Sequence, residues 1–205
     1  MSPEPCTHTL LQIAGADTLL GPGPPGWVIE SVRRVPWVVV RRVQDLAGRI
    51  AVGVRGEHRA QRYAAWVEPG AVLDTVTPQG LACSRRWRSS VRRCLIPAID
   101  ALEEVEIIMT RHGFAEAWGP TGSVGFELAS GYASATAASD LDLALWSDRP
   151  PEVIEARPLA SALASLAVRT DLLVETPQGA VALAELARGG QLMLRTGSGP
   201  RLIAG

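Results

Sequence analysis

The sequence predicts an α+β protein of two small domains, spanning residues 1–78 and 79–205. In the first half, β-branched or alternating runs at residues 36–42 and 49–55 are typical of two neighbouring strands. The Thr-Pro-Gln-Gly run at residues 77–80 then interrupts the pattern and marks a domain boundary. In the second half, strand and helix patterns alternate, which indicates an α+β or α/β sheet domain. We take the α+β class.

The first half offers few elements beyond these two strands. Residues 1–20 contain a short apolar stretch with Leu10, Leu11 and Ile13. The Gly/Pro run at residues 21–26 cannot continue a helix or a strand. The pattern of residues 59–67 fits a strand or a helix, and the sequence does not decide between them.

The second half contains elements of both kinds. A helix is expected at residues 96–112 from its apolar spacing, with Gly113 as its C-cap. After a glycine-rich turn at residues 117–123, Val124, Phe126 and Leu128 alternate and predict a strand that ends at Gly131. The remaining segments predict a strand at 140–146, a helix at 152–166, a strand at 168–175, a short helix at 181–187 and a final strand at 192–195.

Composition excludes several classes of function. The net charge of −1 argues against a nucleic-acid partner and against a polybasic membrane anchor. The three cysteines have no CxxC spacing, so neither a disulfide framework nor a zinc site is indicated. The N-terminus lacks a signal-peptide pattern, and no apolar run reaches the roughly 20 residues that span a bilayer. A cytoplasmic protein without a membrane or nucleic-acid partner is expected.

The basic residues restrict how phosphate can be bound. All 20 are arginine, and the chain contains no lysine. Phosphates must therefore be held by guanidinium groups or backbone N–H groups, and a phosphate-loop lysine is excluded.

An Asp-Leu-Asp motif carries the chemistry. Side chains two residues apart lie on the same face of a strand, so Asp140 and Asp142 project together while Leu141 and Leu143 point into the core. Paired carboxylates favour a cation between them, and oxygen ligands suit magnesium. Asp171 opens a strand that can lie beside the first and supply a third carboxylate for a two-magnesium site. An isolated motif of this kind also occurs on solvated strand edges.

Other residues are candidates for binding phosphates. Gly122 and Ser123 offer backbone N–H groups and a hydroxyl, and a side chain at Gly122 would block approach. Arg55, Arg59 and Arg62 suit either phosphates or an acidic protein surface, although arginines of this kind often belong to a solvated face. The arginine cluster at residues 85–93 fits docking of an acidic helical partner and a solvated linker equally well.

Several motifs resemble a known family. The Gly-Pro-Thr-Gly-Ser-Val-Gly-Phe-Glu-Leu-Ala run at 119–129, with Ser-Asp-Leu-Asp-Leu at 139–143, closely resembles the phosphoribosyl-dephospho-CoA transferases of malonate decarboxylase. So do the segments at 171–177, 181–185, 36–42 and 52–56, together with Arg59, Gln61 and Arg62. His-Thr-Leu-Leu at 8–11 resembles the family's His-Asp-Leu-Leu, with Thr9 in place of the acid. The resemblance covers nearly the whole chain.

The resemblance implies a specific reaction. These enzymes transfer a prosthetic group from 2'-(5''-triphosphoribosyl)-3'-dephospho-CoA to a serine of the acyl carrier protein subunit, and pyrophosphate leaves. By the family pattern Asp140 and Asp142 are the essential acids, and Asp171 is the third metal ligand or the base. The implied catalytic domain is nucleotidyltransferase-like (polymerase-β-like) and occupies residues 79–205, while residues 1–78 contact the donor or the carrier protein.

Two other classes of function remain open on the sequence alone. One is a related transferase, either the citrate lyase-type carrier-protein transferase or a generic nucleotidyltransferase that uses ATP or CTP. The other is a non-catalytic module that docks on a carrier protein and retains vestigial acids.

Overall fold

The computed structural model describes residues 5–43, 48–56, 58 and 60–205. The chain forms two compact units, Met1–Thr77 and Pro78–Gly205. Each unit combines one β-sheet with helices, so the α+β class is confirmed.

In its described residues, the first unit contains a five-stranded sheet and one α-helix. Its strands lie in the order β4-β3-β2-β1-β5, and the neighbouring strands pair antiparallel. The elements are β1 (Leu10–Ile13), α1 (Gly26–Arg34), β2 (Trp37–Val40), β3 (Ile50–Arg55), β4 (Arg62–Val67) and β5 (Val72–Val76). The two predicted strands correspond to β2 and β3, and the undecided segment forms a strand from Arg62 onward. Helix α1 and strand β5 were not predicted.

Helix α1 begins at Gly26, the last residue of the Gly/Pro run, with Pro25 as its N-cap, because a proline is tolerated at the start of a helix. Its buried residues Val28 and Val32, one turn apart, belong to the same apolar core as the sheet. The buried sheet residues in that core include Leu11, Ile13, Val38, Val40, Val52, Val54 and Val67.

The second unit contains a six-stranded sheet in the order β11-β10-β9-β8-β7-β6. Its helices are α2 (Pro78–Ser84), α3 (Pro97–Asp100), α4 (Leu102–Arg111), α5 (Gly122–Ser130), α6 (Val153–Ala164) and α7 (Leu183–Arg188). Its strands are β6 (Trp118–Pro120), β7 (Leu141–Trp146), β8 (Thr170–Thr176), β9 (Gly179–Ala182), β10 (Gln191–Thr196) and β11 (Gly199–Ala204).

Strands β7 and β8 form the one parallel pair among the strand pairings of the described residues. Helix α6 connects them, as a parallel pair requires a crossover. The parallel arrangement brings the amino ends of both strands to the same edge of the sheet. The apolar side chains of β7, such as Leu141, Leu143 and Leu145, are almost fully buried.

Three sequence predictions in this unit were wrong. The segment with Val124, Phe126 and Leu128 is helix α5 and not a strand, because Val124, Leu128 and the buried Glu127 follow helical spacing. The predicted helix at 181–187 begins only at Leu183, after β9. The chain closes with a hairpin of β10 and β11 instead of a single strand.

Candidate functional site

The predicted acids lie at the amino ends of β7 and β8. Asp142 and Asp171 are directly opposite each other in the parallel register, so their side chains project from the same face, with backbones about 5 Å apart. Asp140 lies immediately before β7, because this strand begins at Leu141, one residue later than the sequence predicted. The side chains of Asp140 and Asp171 are 49% and 58% exposed, which leaves both carboxylates open to a ligand.

Arg169 joins two of these acids. Its Nη2 lies 3.2 Å from Asp171 Oδ2, and its Nη1 lies 3.9 Å from Asp140 Oδ2. The carbonyl of Arg169 accepts a 2.8 Å hydrogen bond from the N–H of Leu141, which fixes its backbone beside Asp140. Arg169 was not among the predicted site residues, although it stands two positions before Asp171 and strand alternation places both on one face.

Gly122 begins helix α5 against the carboxylate of Asp142. Its φ is +58°, and a Cβ built on it would collide with Asp142 Oδ2. The N–H of Thr121 donates a 2.8 Å hydrogen bond to the carbonyl of Asp142, which ties the start of α5 to β7. The first N–H groups of a helix have no partner within the helix and favour negative charge. Gly122 therefore allows the start of α5 to approach the carboxylate of Asp142 closely.

Ser123 contributes to the same region. Its Oγ lies 3.5 Å from Ser139 Oγ, and its carbonyl accepts a 2.8 Å hydrogen bond from Ser134 Oγ. Ser139 Oγ also accepts a hydrogen bond from the N–H of Thr136. The structure thus brings Ser123 to Ser139, the residue that precedes Asp140.

A buried ion pair shapes the segment that leads to Asp140. Glu127 on α5 is 6% exposed, and its Oε2 lies 2.8 Å from Arg92 Nη1. The same oxygen accepts hydrogen bonds from the N–H groups of Ser134 and Ala135, at 3.0 and 2.9 Å. Arg92 also donates to the carbonyl of Ala135 at 3.0 Å. The pair fastens the segment between α5 and Asp140 to the helix, a role that the sequence alone does not reveal.

The donor chemistry of the acids fits magnesium. Mg²⁺ takes oxygen ligands and is commonly held by one or two carboxylates together with substrate phosphates. Asp142 and Asp171 provide such a pair from adjacent strands. Within the described parts of the chain, however, no group of three His, Cys, Asp or Glu side chains converges on one point. The three-ligand, two-ion arrangement therefore stays a prediction.

The predicted phosphate-binding arginines belong to the first unit. Arg55 ends β3, Arg62 begins β4, and the two residues are directly opposite across the hairpin. Both are exposed. Arg59 lies outside the described residues. Thr9 of the His-Thr-Leu-Leu motif is fully buried, with its Oγ1 3.3 Å from Cys6 Sγ, so it offers no surface contact within this unit.

The arginine cluster at 85–93 is neither a solvated linker nor an unpaired basic surface. Four of its guanidinium groups form ion pairs with acids of α3, α4 and α5. The hydrogen bond from Arg88, with help from Trp87, holds the pKa of Glu103 below its usual value. Trp87 is fully buried against Trp118. The four paired arginines fasten this segment to helices of the same unit, and the buried Trp87 holds it in the core.

Comparison with known proteins matches both units to one family. The family models of the phosphoribosyl-dephospho-CoA transferase MdcG N-terminal and C-terminal domains match residues 7–78 and 86–205. A phosphoribosyl-dephospho-CoA transferase of Klebsiella pneumoniae strain 342 is 38% identical over 204 residues, which cover 100% of this chain and 97% of the relative.

Relatives from other bacteria show comparable similarity. A phosphoribosyl-dephospho-CoA transferase of Pseudomonas syringae pv. tomato is 41% identical and covers 88% of this chain and 83% of its own. One from Azotobacter vinelandii is 38% identical and covers 98% and 92%. No solved structure matches the chain. Among the described residues, no helix has both the length and the apolar character needed to cross a bilayer.

Proposed function

Because the chain belongs to the phosphoribosyl-dephospho-CoA transferase (MdcG) family, we propose that it attaches a dephospho-CoA prosthetic group to a carrier protein. The proposed donor is 2'-(5''-triphosphoribosyl)-3'-dephospho-CoA. The proposed acceptor is a serine of the acyl carrier protein subunit of malonate decarboxylase. The product is a phosphodiester, and pyrophosphate is released.

The observation that supports this proposal most strongly is the position of Asp142. Its carboxylate lies against the start of α5 at Gly122, and Asp142 is directly opposite Asp171 in the register of β7 and β8. A triphosphate bound there meets backbone N–H groups on one side and carboxylates on the other. Transfer to a hydroxyl needs this combination. The N–H groups would hold the leaving phosphates, and the carboxylates would hold the magnesium that activates the reacting phosphorus.

The proposed reaction is a single displacement. The serine oxygen of the carrier forms a bond to the α-phosphorus of the donor, and the bond from that phosphorus to the bridging oxygen of the β-phosphate breaks. Both electrons of the broken bond leave with pyrophosphate. The serine proton passes to a carboxylate, for which Asp171 is the candidate because it is exposed at the edge of the site.

Magnesium would be held by Asp142 and Asp140, with Asp171 as the third candidate. When bound, it would neutralise charge on the triphosphate and help pyrophosphate to leave. We propose two ions, with Asp171 acting either as a ligand or as the base. The acid site and the helix start also motivate our proposal that this unit has a nucleotidyltransferase-like catalytic fold.

The first unit is proposed to contribute phosphate or carrier contacts. Arg55 and Arg62 place two guanidinium groups side by side at the end of one hairpin, and Arg59 lies between them in sequence. Guanidinium pairs bind phosphate and carboxylate groups well. A cytoplasmic location remains an expectation from the sequence.

The test is transfer of the donor to apo carrier protein in the presence of magnesium, followed by intact mass of the carrier. Wild type is compared with Asp140→Asn and Asp142→Asn, and with Asp148→Asn as a matched control. Asp148 is an exposed acid just beyond the far end of β7. We expect the mass gain with wild type and Asp148→Asn only. Full activity of Asp142→Asn would contradict the proposed site, and no gain with wild type would contradict the proposed reaction.

A further inference from the structure

Three acids and one arginine lie together at the amino ends of two adjacent strands, β7 and β8. Asp142 faces Asp171 across the parallel pair, and Arg169 lies beside Asp140, one alternation earlier. Like charges directly opposite each other destabilise a sheet. The guanidinium of Arg169 contacts both Asp140 and Asp171, so it relieves part of this repulsion.

We propose that Arg169 is an exchangeable cation of this site, which pairs with Asp140 and Asp171 in the empty enzyme and moves onto the donor's phosphates when magnesium binds. This inference rests on the proposed function. Arg169 competes with magnesium for the same carboxylates while the site is empty. After the metal has taken the carboxylates, its guanidinium is released for the triphosphate.

Exposure makes such an exchange feasible. The side chain of Arg169 is 71% exposed, and one of its two contacts is as long as 3.9 Å. Ion pairs between exposed groups contribute little to stability, so breaking them costs little. By contrast, the backbone of Arg169 is fixed through its carbonyl to Leu141. The guanidinium can therefore move while its anchor stays in the sheet.

The shape of the Arg169 side chain suits the donor's phosphates. A guanidinium group offers several N–H donors in a planar fork that matches phosphate oxygens. The chain has no lysine that could take this role. Among the residues described in the second unit, Arg169 is the arginine whose ion pairs involve the predicted metal acids.

The test uses two probes with opposite expected responses. Binding of Mn²⁺ alone is measured by electron paramagnetic resonance on the full chain. Binding of magnesium tripolyphosphate is measured by calorimetry at a free Mg²⁺ concentration that fills the metal site. The proteins are wild type, Arg169→Gln, Arg169→Lys and Arg149→Gln. Arg149 is the matched control because it is an exposed arginine paired with Glu155 away from the acids.

For Arg169→Gln we expect Mn²⁺ to bind more tightly by about three- to tenfold, because a competing positive charge is removed. We expect magnesium tripolyphosphate to bind more weakly by about tenfold. Arg169→Lys keeps the charge but loses the fork, so its Mn²⁺ affinity should stay near that of wild type while its tripolyphosphate affinity falls partway. Arg149→Gln should change neither affinity.

The proposal is overturned if Arg169→Gln does not bind Mn²⁺ more tightly, or if it does not bind magnesium tripolyphosphate more weakly. Unchanged or weaker Mn²⁺ binding shows that the guanidinium does not compete with the metal. Unchanged tripolyphosphate binding shows that it does not transfer to phosphate. If wild type still modifies the carrier protein, only the role of Arg169 fails. If both affinities respond but wild type transfers nothing, the proposed function fails instead.

Discussion

Replacing Glu127 by alanine should destabilise the second unit strongly. One oxygen of this buried carboxylate is the acceptor for Arg92 and for the N–H groups of Ser134 and Ala135. The substitution leaves these donors without their acceptor. It also releases the segment that precedes Asp140, so activity should fall together with stability.

The magnitude follows from burial. Breaking a buried ion pair costs about 3–5 kcal/mol, and a buried N–H without an acceptor costs about 1–3 kcal/mol. Arg92 is 30% exposed and can turn its guanidinium to water, which reduces the first figure. We therefore expect Glu127→Ala to lower the free energy of unfolding by about 3 kcal/mol, which corresponds to about 10 °C in Tm.

The assay is urea and thermal unfolding followed by circular dichroism, with Glu155→Ala as the matched control. Glu155 also accepts hydrogen bonds from an arginine, Arg149, and from a backbone N–H, that of Glu152, but it is exposed. Its substitution should cost clearly less than that of Glu127. Equal effects of the two substitutions would refute the argument that burial of the carboxylate sets the magnitude.

Three further predictions concern the site and its surroundings. Gly122→Ala should lower transfer by about 100-fold, because the new Cβ displaces the carboxylate of Asp142 and small displacements of catalytic groups are costly. The hydrogen bonds from Arg149 and then from the Glu152 backbone lower the pKa of Glu155 from 4.5 to about 2. The stability difference between wild type and Glu155→Gln should therefore persist above pH 4.5 and vanish as pH falls through 2, as measured by urea midpoints. The double substitution of Arg55 and Arg62 by alanine should raise KM for the donor by about tenfold in steady-state transfer assays.

Each of these has a control. Gly131→Ala introduces a Cβ at a similar positive φ of 74° but into open space, so it should cost stability without the loss of transfer. Equal activities of the two glycine variants would contradict the steric role of Gly122. Loss of the stability difference for Glu155→Gln already above pH 4.5 would contradict a lowered pKa of Glu155 in the folded protein. Arg33→Ala, an exposed arginine of α1, should leave KM unchanged, and an equal rise would indicate a general charge effect.

The sequence predicted the site best where local pattern and register agree. The leucines of β7 alternate with acids, so the shared face of Asp140 and Asp142 follows from the sequence. The structure adds that Asp142 lies opposite Asp171, as expected for the next acid-bearing strand. Both features were predictable because they follow from residues close together in the chain and from the two-residue repeat of a strand.

Prediction from the sequence failed where contacts between distant residues determine the structure. The short apolar run of α5 fits both the strand and the helix period, and Arg92, the partner of its buried Glu127, lies 35 residues earlier in the chain. The same holds for the arginine cluster at 85–93, whose partners lie on later helices. Arg169 is an intermediate case, because alternation with Asp171 was visible but its contact with Asp140 required the parallel register.

The most direct test of the central claim is peptide-level mass analysis of the modified carrier, with pyrophosphate counted in the same reaction. The proposed function predicts one phosphoribosyl-dephospho-CoA group joined to a serine, and one pyrophosphate released for each group attached. An adenylyl or cytidylyl group transferred from ATP or CTP, with no reaction of the triphosphoribosyl donor, would contradict it. So would a carrier that remains unmodified with every triphosphate.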